Sequence, residues 1–90
     1  MATTADTSIE NPEAALRRRE LRGALEVAIQ SLGARDRLLL RLRFEDGHAA
    51  RVIAEAMGFP STFHVYRRLK KVLSGLRLRL REAGFSDGRP

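Results

Sequence analysis

The sequence contains no cysteine and no tryptophan, and it has one tyrosine among its 90 residues. Without cysteine the chain can form neither a disulfide nor a thiolate metal site, which fits a reducing compartment. No apolar run approaches the ~18 residues that span a bilayer, and the N-terminus lacks the basic start and apolar core of a signal peptide. We therefore expect a cytoplasmic protein with no membrane partner.

Patterns typical of catalytic and metal sites are also missing. The two histidines, His48 and His64, are not spaced as a metal-binding pair, and neither a glycine-rich phosphate loop nor a nucleophile–base motif is present. The acidic pair Glu45–Asp46 is typical of a solvated turn, and so small a domain has little room for a deep pocket. The sequence predicts that the protein is not an enzyme and has no cofactor, metal or small-molecule substrate.

The excess positive charge lies in one stretch, Ser61–Glu82. This stretch carries seven Lys or Arg and one acidic residue, whereas residues 1–60 carry nine of each sign. Like charges on one helix repel one another, so folding gives no reason to collect them. The pattern indicates an anionic partner.

Apolar spacing predicts an all-α, four-helix domain over residues 12–84, between a flexible tail or linker (1–11) and a C-terminal tail (85–90). The predicted helices are 12–32, 34–45, 49–57 and 61–82. Asn11 should cap the first helix and Gly33 should end it. Ser61 should cap the fourth with its hydroxyl facing the amides of residues 63 and 64. Gly75, inside that helix, indicates either a close approach of another helix or a soft spot.

The same spacing predicts which side chains face the core. In the first two helices these are Leu16, Leu21, Ala24, Leu25, Ala28, Ile29, Leu32, Leu38, Leu39, Leu42 and Phe44. In the last two they are Ile53, Met57, Val65, Leu69, Val72, Leu76 and Leu80. Val52 and Phe85 are expected to be exposed.

Residues 49–71 have the pattern of a helix-turn-helix, in which a short helix and a tight turn precede a helix that enters the major groove. Its predicted packing residues are Ile53, Ala54, Gly58, Val65 and Leu69. The base-contact candidates are Thr62, Phe63, His64, Tyr66 and Arg67, and the phosphate-contact candidates are Ser61, Arg68, Lys70 and Lys71. Alternatively, Phe63 packs on the core or forms a hydrophobic lid over the turn, His64 is an ordinary exposed residue and Tyr66 stacks on a neighbouring helix. For Arg77, Arg79 and Arg81 we favour a solvated face or a protein contact.

Three pieces of the chain within residues 24–80 form a further pattern: SLGARDRLLLRLRFEDG, VIAEAMGF and VYRRLKKVLSGLRLRL. Together they resemble region four of bacterial RNA polymerase sigma factors of the extracytoplasmic-function group. The resemblance implies a four-helix domain whose last helix binds the −35 promoter element of double-stranded DNA. It further implies docking on the flap of the polymerase β subunit and masking by an anti-sigma protein.

The chain departs from the family pattern at four places. Gly33 replaces a proline, Ala49 replaces the serine cap of the third helix, Val52 replaces an acid, and the turn 58–61 is one residue longer. With Ser61 as the helix cap the base-contact register is preserved; otherwise it slips by one residue.

The sequence leaves three functions open. The leading one is −35 recognition as the C-terminal domain of a sigma-like transcription initiation factor, either excised from a longer chain or free-standing. The second is a protein-interaction module that docks on RNA polymerase or an anti-sigma factor, with DNA contact secondary. The third, least favoured, is a basic amphipathic helix on a membrane surface.

Overall fold

The computed structural model describes residues 11–85, which form four helices and no strand. They are α1 (Pro12–Gln30), α2 (Ala34–Leu40, continued by a π-helical turn, Arg41–Glu45), α3 (Ala50–Met57) and α4 (Thr62–Glu82). The all-α prediction is confirmed for this part of the chain. Of the predicted tails, residues 1–10 and 86–90 lie outside the described residues.

The first helix begins as predicted and ends earlier than predicted. The side chain of Asn11 accepts a hydrogen bond of 2.9 Å from the amide of Glu13, which satisfies one of the free donors at the helix start. At the other end, Arg37 donates to the carbonyls of Gln30 and Leu32. Gly33 has an ordinary φ of −67° and is the N-cap of α2. Its predicted role as the residue that ends α1 is therefore wrong.

The second helix changes its winding after Leu40. The amide of Asp46 bonds to the carbonyl of Arg41, five residues back, at 2.9 Å, which is the spacing of a π-helix. Gly47 then turns the chain with a φ of +70°, a conformation that glycine adopts without steric cost.

The core lies where α3 and α4 pack against each other, with α1 and α2 closing it. Leu39, Ile53 and Val65 are fully buried at its centre. The other buried side chains are Ala28, Leu40, Ala50, Ala54, Met57, Leu69, Val72 and Leu76. The predicted seam of α4 is thus confirmed, with Leu80 half-buried at its end.

Four residues predicted to face the core are instead exposed. Leu16 and Leu21 lie on the first half of α1, none of whose residues belongs to the core. In α2, Leu38 is 45% exposed while Leu40 is buried, so the buried face includes a residue that the spacing missed. Phe44 is 61% exposed and lies in the π-helical turn, where regular α-helical spacing no longer sets which side chains face inward. Val52 is exposed as predicted.

Helices α3 and α4 end in the same way, with a glycine followed by a phenylalanine. Gly58 and Gly84 have φ values of +78° and +98°, and the amides of Phe59 and Phe85 bond back to Ala54 and Leu80 at 2.9 Å. These are Schellman-type ends, which satisfy free carbonyls of the last turn.

An arginine from another helix completes each of these ends. Arg35 donates to the carbonyl of Met57 and lies 5.0 Å from the Phe59 ring centre. Arg17 donates to the carbonyl of Gly84 and lies 4.6 Å from the ring centre of Phe85. Phe85, predicted to be an exposed tail residue, is half-buried because it belongs to this helix end.

Candidate nucleic-acid interface

Helix α4 begins where it was predicted to begin, but the Ser61 hydroxyl does not cap it. Ser61 occupies the N-cap position with an extended backbone, and its carbonyl accepts from the amides of His64 and Val65. Its hydroxyl does not bond to a helix amide; it lies 2.9 Å from Nδ1 of His64. The predicted capping role of the hydroxyl is therefore wrong, and the bond holds the imidazole ring instead.

The structure places Thr62, Phe63 and His64 together on the surface, at the exposed start of α4. Phe63 is 64% exposed and its ring meets that of His64 edge-on at 5.7 Å. The guanidinium of Arg67 lies 6.0 Å from the Phe63 ring centre. The alternative in which Phe63 packs on the core does not fit this exposure. These side chains form one exposed cluster with a cation beside it.

Tyr66 lies next to this cluster, on one side of α4. It is 51% exposed, and Arg43 of the π-helical turn has its guanidinium 5.7 Å from the Tyr66 ring centre. Arg43 also donates to the carbonyl of His48 at 3.1 Å. Nothing in the local sequence of Arg43 signals this position, because it depends on how the turn packs beside α4.

The predicted packing residues do come together beneath this surface. Ile53, Ala54, Val65 and Leu69 are all buried where α3 meets α4. Gly58, with its positive φ, forms the turn between the two helices. The buried face fixes which side of α4 is left for a partner.

Arg68, a phosphate-contact candidate, is bound within the protein. Its Nε and Nη2 donate to Oδ1 and Oδ2 of Asp36 at 2.9 and 2.8 Å. The hydrogen bond from Arg68 holds the pKa of Asp36 below its usual value, and the same bond raises the pKa of Arg68. The pairing joins α2 to α4 across 32 residues of sequence, and no local pattern in either helix predicts it.

Two basic clefts flank the exposed side of α4. The Lys71 cleft, about 310 Å³, is lined by Phe59, His64, Arg67, Arg68 and Lys71. The Arg43 cleft, about 390 Å³, is lined by Arg43, Tyr66, Lys70 and Arg77 and by the apolar residues Phe44, Leu69 and Leu73. Lys70 and Lys71 are exposed, and within residues 11–85 neither lies in an ion pair. The surface can therefore offer free cations on both sides of one helix.

Residues 11–85 contain no group of three or more His, Asp or Glu placed to hold a metal ion. None of the helices in that part of the chain combines the length and apolar character needed to cross a bilayer. No family model, no curated protein and no solved structure matches this chain.

Proposed function

We propose that this chain binds double-stranded DNA as a helix-turn-helix domain, with the start of α4 in the major groove. The observation that carries the proposal is the surface of α4. Its first three turns expose the base-contact candidates and, on either side of them, Lys70 and Lys71, while the face against α3 is buried. A recognition helix needs this division, since one face must hold the fold and the other must reach base edges.

Roles on this surface follow from exposure and chemistry. Thr62, Phe63, His64 and Tyr66 can contact base edges, and Arg67 can donate two bonds to a guanine. Lys70 and Lys71 serve as phosphate contacts because their ammonium groups are point charges without a fixed geometry.

Two phosphate-contact candidates keep a smaller role in this proposal. Two donors of Arg68 already bond Asp36, so Arg68 acts mainly to hold α4 on α2. Ser61 acts through the ring of His64.

The resemblance to sigma region four supplies the biological setting of the proposal. In that setting the domain recognises the −35 promoter element in the cytoplasm as part of a sigma-like initiation factor. Its further partners are the β-subunit flap of RNA polymerase and an anti-sigma protein. The net charge of +6 fits the DNA partner.

The test is duplex binding measured as a function of salt. With ~4–6 phosphate contacts, log K should fall with log salt with a slope of about −4 to −5. The test duplex is the sequence that the protein binds most tightly in a selection from a random library. Arg67→Ala should reduce the preference for the selected duplex, and Lys71→Ala should weaken binding to all duplexes alike.

Two outcomes would count against the proposal. Equal losses from both substitutions on every duplex would contradict the base-reading role of Arg67. Absence of duplex binding at low salt by a folded protein would contradict DNA binding itself. Circular dichroism of each variant should establish that the helices are intact.

A second candidate function, docking on a protein partner, is favoured by one observation. Phe44 is 61% exposed at the edge of an apolar cleft of about 280 Å³, lined also by Leu25, Ile29, Leu40 and Leu73. An exposed aromatic beside an apolar cleft is typical of a protein-binding surface. Binding to the isolated β flap that survives high salt and is lost in Phe44→Ser, but not in Phe63→Ser, would support it. Salt-sensitive binding that ignores Phe44 would contradict it.

A further inference from the structure

The Arg43 cleft lies beside the exposed cluster of Thr62, Phe63 and His64, and it is built from two separate elements. The π-helical turn contributes Arg43 and Phe44, and α4 contributes Tyr66, Lys70 and Arg77. Arg43 is held in place by its bond to the carbonyl of His48 and by its position over Tyr66. Three cations thus surround the cleft, and no carboxylate lines it.

Part of the lining of this cleft is apolar, which narrows the class of ligand. Leu69, Leu73 and Phe44 line it together with the three cations. A sugar–phosphate backbone matches such a surface, because the deoxyribose presents C–H groups and each phosphate carries a negative charge. Lys70 and Arg77 lie two helical turns apart, about 10 Å along α4, so the cleft is long enough for more than one nucleotide.

The position of the cleft on α4 indicates which part of a duplex it meets. Tyr66, Lys70 and Arg77 project from one side of the helix, and His64 and Lys71 project from the other, into the Lys71 cleft. The base-contact candidate Phe63 lies between the two sides, and its neighbour Arg67 is among the residues that line the Lys71 cleft. A major groove has a phosphate backbone along each of its edges, so a helix inside it meets one strand on each flank.

We propose that the Arg43 cleft binds the sugar–phosphate backbone of the second DNA strand, across the major groove from the strand held at Lys71. This inference rests on the proposed DNA binding and adds Arg43 and Arg77 to its contacts. Arg43 comes from outside α4, so the π-helical turn becomes part of the DNA-binding surface.

The experiment uses the full chain and a duplex selected by the protein from a random library. Arg43→Gln and Arg77→Gln should each weaken binding about three- to tenfold on all sequences and reduce the magnitude of the salt slope by about 1. Arg79→Gln is the matched control, because Arg79 lies on the same helix outside both clefts and should bind as the wild type does. Arg43→Lys should retain most of the affinity, since it keeps the charge.

Strand assignment is tested with neutral methylphosphonate linkages placed in one strand at a time. Neutral linkages in one strand should weaken DNA binding by the wild type but should not further weaken binding by Arg43→Gln. Neutral linkages in the other strand should weaken binding by the wild type but should not further weaken binding by Lys71→Gln. Wild-type affinity in both Arg43→Gln and Arg77→Gln, with Lys71→Gln weakened, would overturn this inference and leave the proposed function standing. If one variant became insensitive to neutral linkages in both strands, the assignment of the two clefts to different strands would be overturned. Failure of the folded wild type to bind any duplex would overturn both.

Discussion

Asp36 and Arg68 are 32 residues apart in sequence and are joined by two parallel hydrogen bonds of 2.9 and 2.8 Å. Asp36 is the more enclosed partner, with 15% of its side chain exposed against 42% for Arg68. A two-bond pair of this kind is stronger than a neutral hydrogen bond. The pair fixes the proposed recognition helix to α2.

Substituting Asp36→Asn should therefore lower the free energy of unfolding at pH 7 by about 1–2 kcal/mol, a range that allows for the partial exposure of Arg68. Urea unfolding followed by circular dichroism measures this change. Glu45→Gln is the control, because the Glu45–Arg41 pair is exposed and 3.8 Å long and should contribute less than ~0.5 kcal/mol. Equal losses from the two substitutions would contradict a special role for Asp36.

The same pair should make stability depend on acid pH. The bond from Arg68 lowers the pKa of Asp36 in the folded protein, so folding favours the ionised carboxylate. This contribution is complete above the unfolded pKa of about 4 and is lost as the pH falls through the lower folded-state pKa. The difference between wild type and Asp36→Asn should therefore shrink between pH 7 and about pH 2, as measured by urea unfolding across that range. A difference that stays constant with pH would argue against the assignment.

Two glycines should respond to alanine in opposite directions. A Cβ at Gly75 would meet nothing within 4 Å, so no other helix approaches closely there and Gly75→Ala should stabilise α4 by up to ~1 kcal/mol. Gly58 also has open space, but its φ of +78° disfavours any side chain, and Gly58→Ala should cost about 1–2 kcal/mol. Thermal unfolding of the two variants checks both signs. Destabilisation by Gly75→Ala would show that the residue has a role that the structure does not reveal.

The hydroxyl of Ser61 should contribute little to stability. Replacing a capping serine usually costs ~1 kcal/mol, but this hydroxyl bonds the exposed ring of His64 and not a helix amide. Ser61→Ala should thus change the free energy of unfolding by less than ~0.5 kcal/mol. Ala49 occupies the N-cap of α3 without a side-chain bond, and Ala49→Ser should stabilise the protein by up to ~1 kcal/mol. A full capping loss in Ser61→Ala would contradict the observed geometry.

The packing of α3 on α4 should depend most strongly on Ile53. Its side chain is fully buried against the core, and Ile53→Ala should cost about 2–5 kcal/mol through lost contacts and the cavity left behind. Because so small a domain has little stability in reserve, Ile53→Ala can unfold it entirely. The milder Ile53→Val, expected to cost about 0.5–1.5 kcal/mol, remains folded and can be measured by urea unfolding. Val52→Ala, at a neighbouring exposed site, is the control and should be nearly neutral.

Local signals were enough to predict much of the fold. Asn11, Gly58 and Gly84 act at helix ends as their residue types predict. The seam of α4 follows from its regular apolar spacing, since a helix of that length repeats its inward face many times. The same spacing predicts that the base-contact candidates are exposed, because they lie on the side of α4 opposite that seam.

Long-range contacts account for what could not be predicted. The pairing of Arg68 with Asp36 and the position of Arg43 beside Tyr66 each join separate elements, and no local pattern signals such a meeting. Phe44 is exposed within the π-helical turn that follows Leu40, and apolar spacing assumes regular α-helical winding, so it could not predict this exposure. The hydroxyl of Ser61 had two hydrogen-bond partners within reach, and the sequence did not distinguish a helix amide from the His64 ring.

Tyr66 is the chain's one tyrosine, and the chain has no tryptophan. Its ring is half exposed beside Arg43 on the candidate DNA surface. The intrinsic fluorescence of the protein therefore comes essentially from one ring at that surface. Binding of a ligand there can be followed by the quenching of this emission, without any added label, and Tyr66→Phe provides the dark reference.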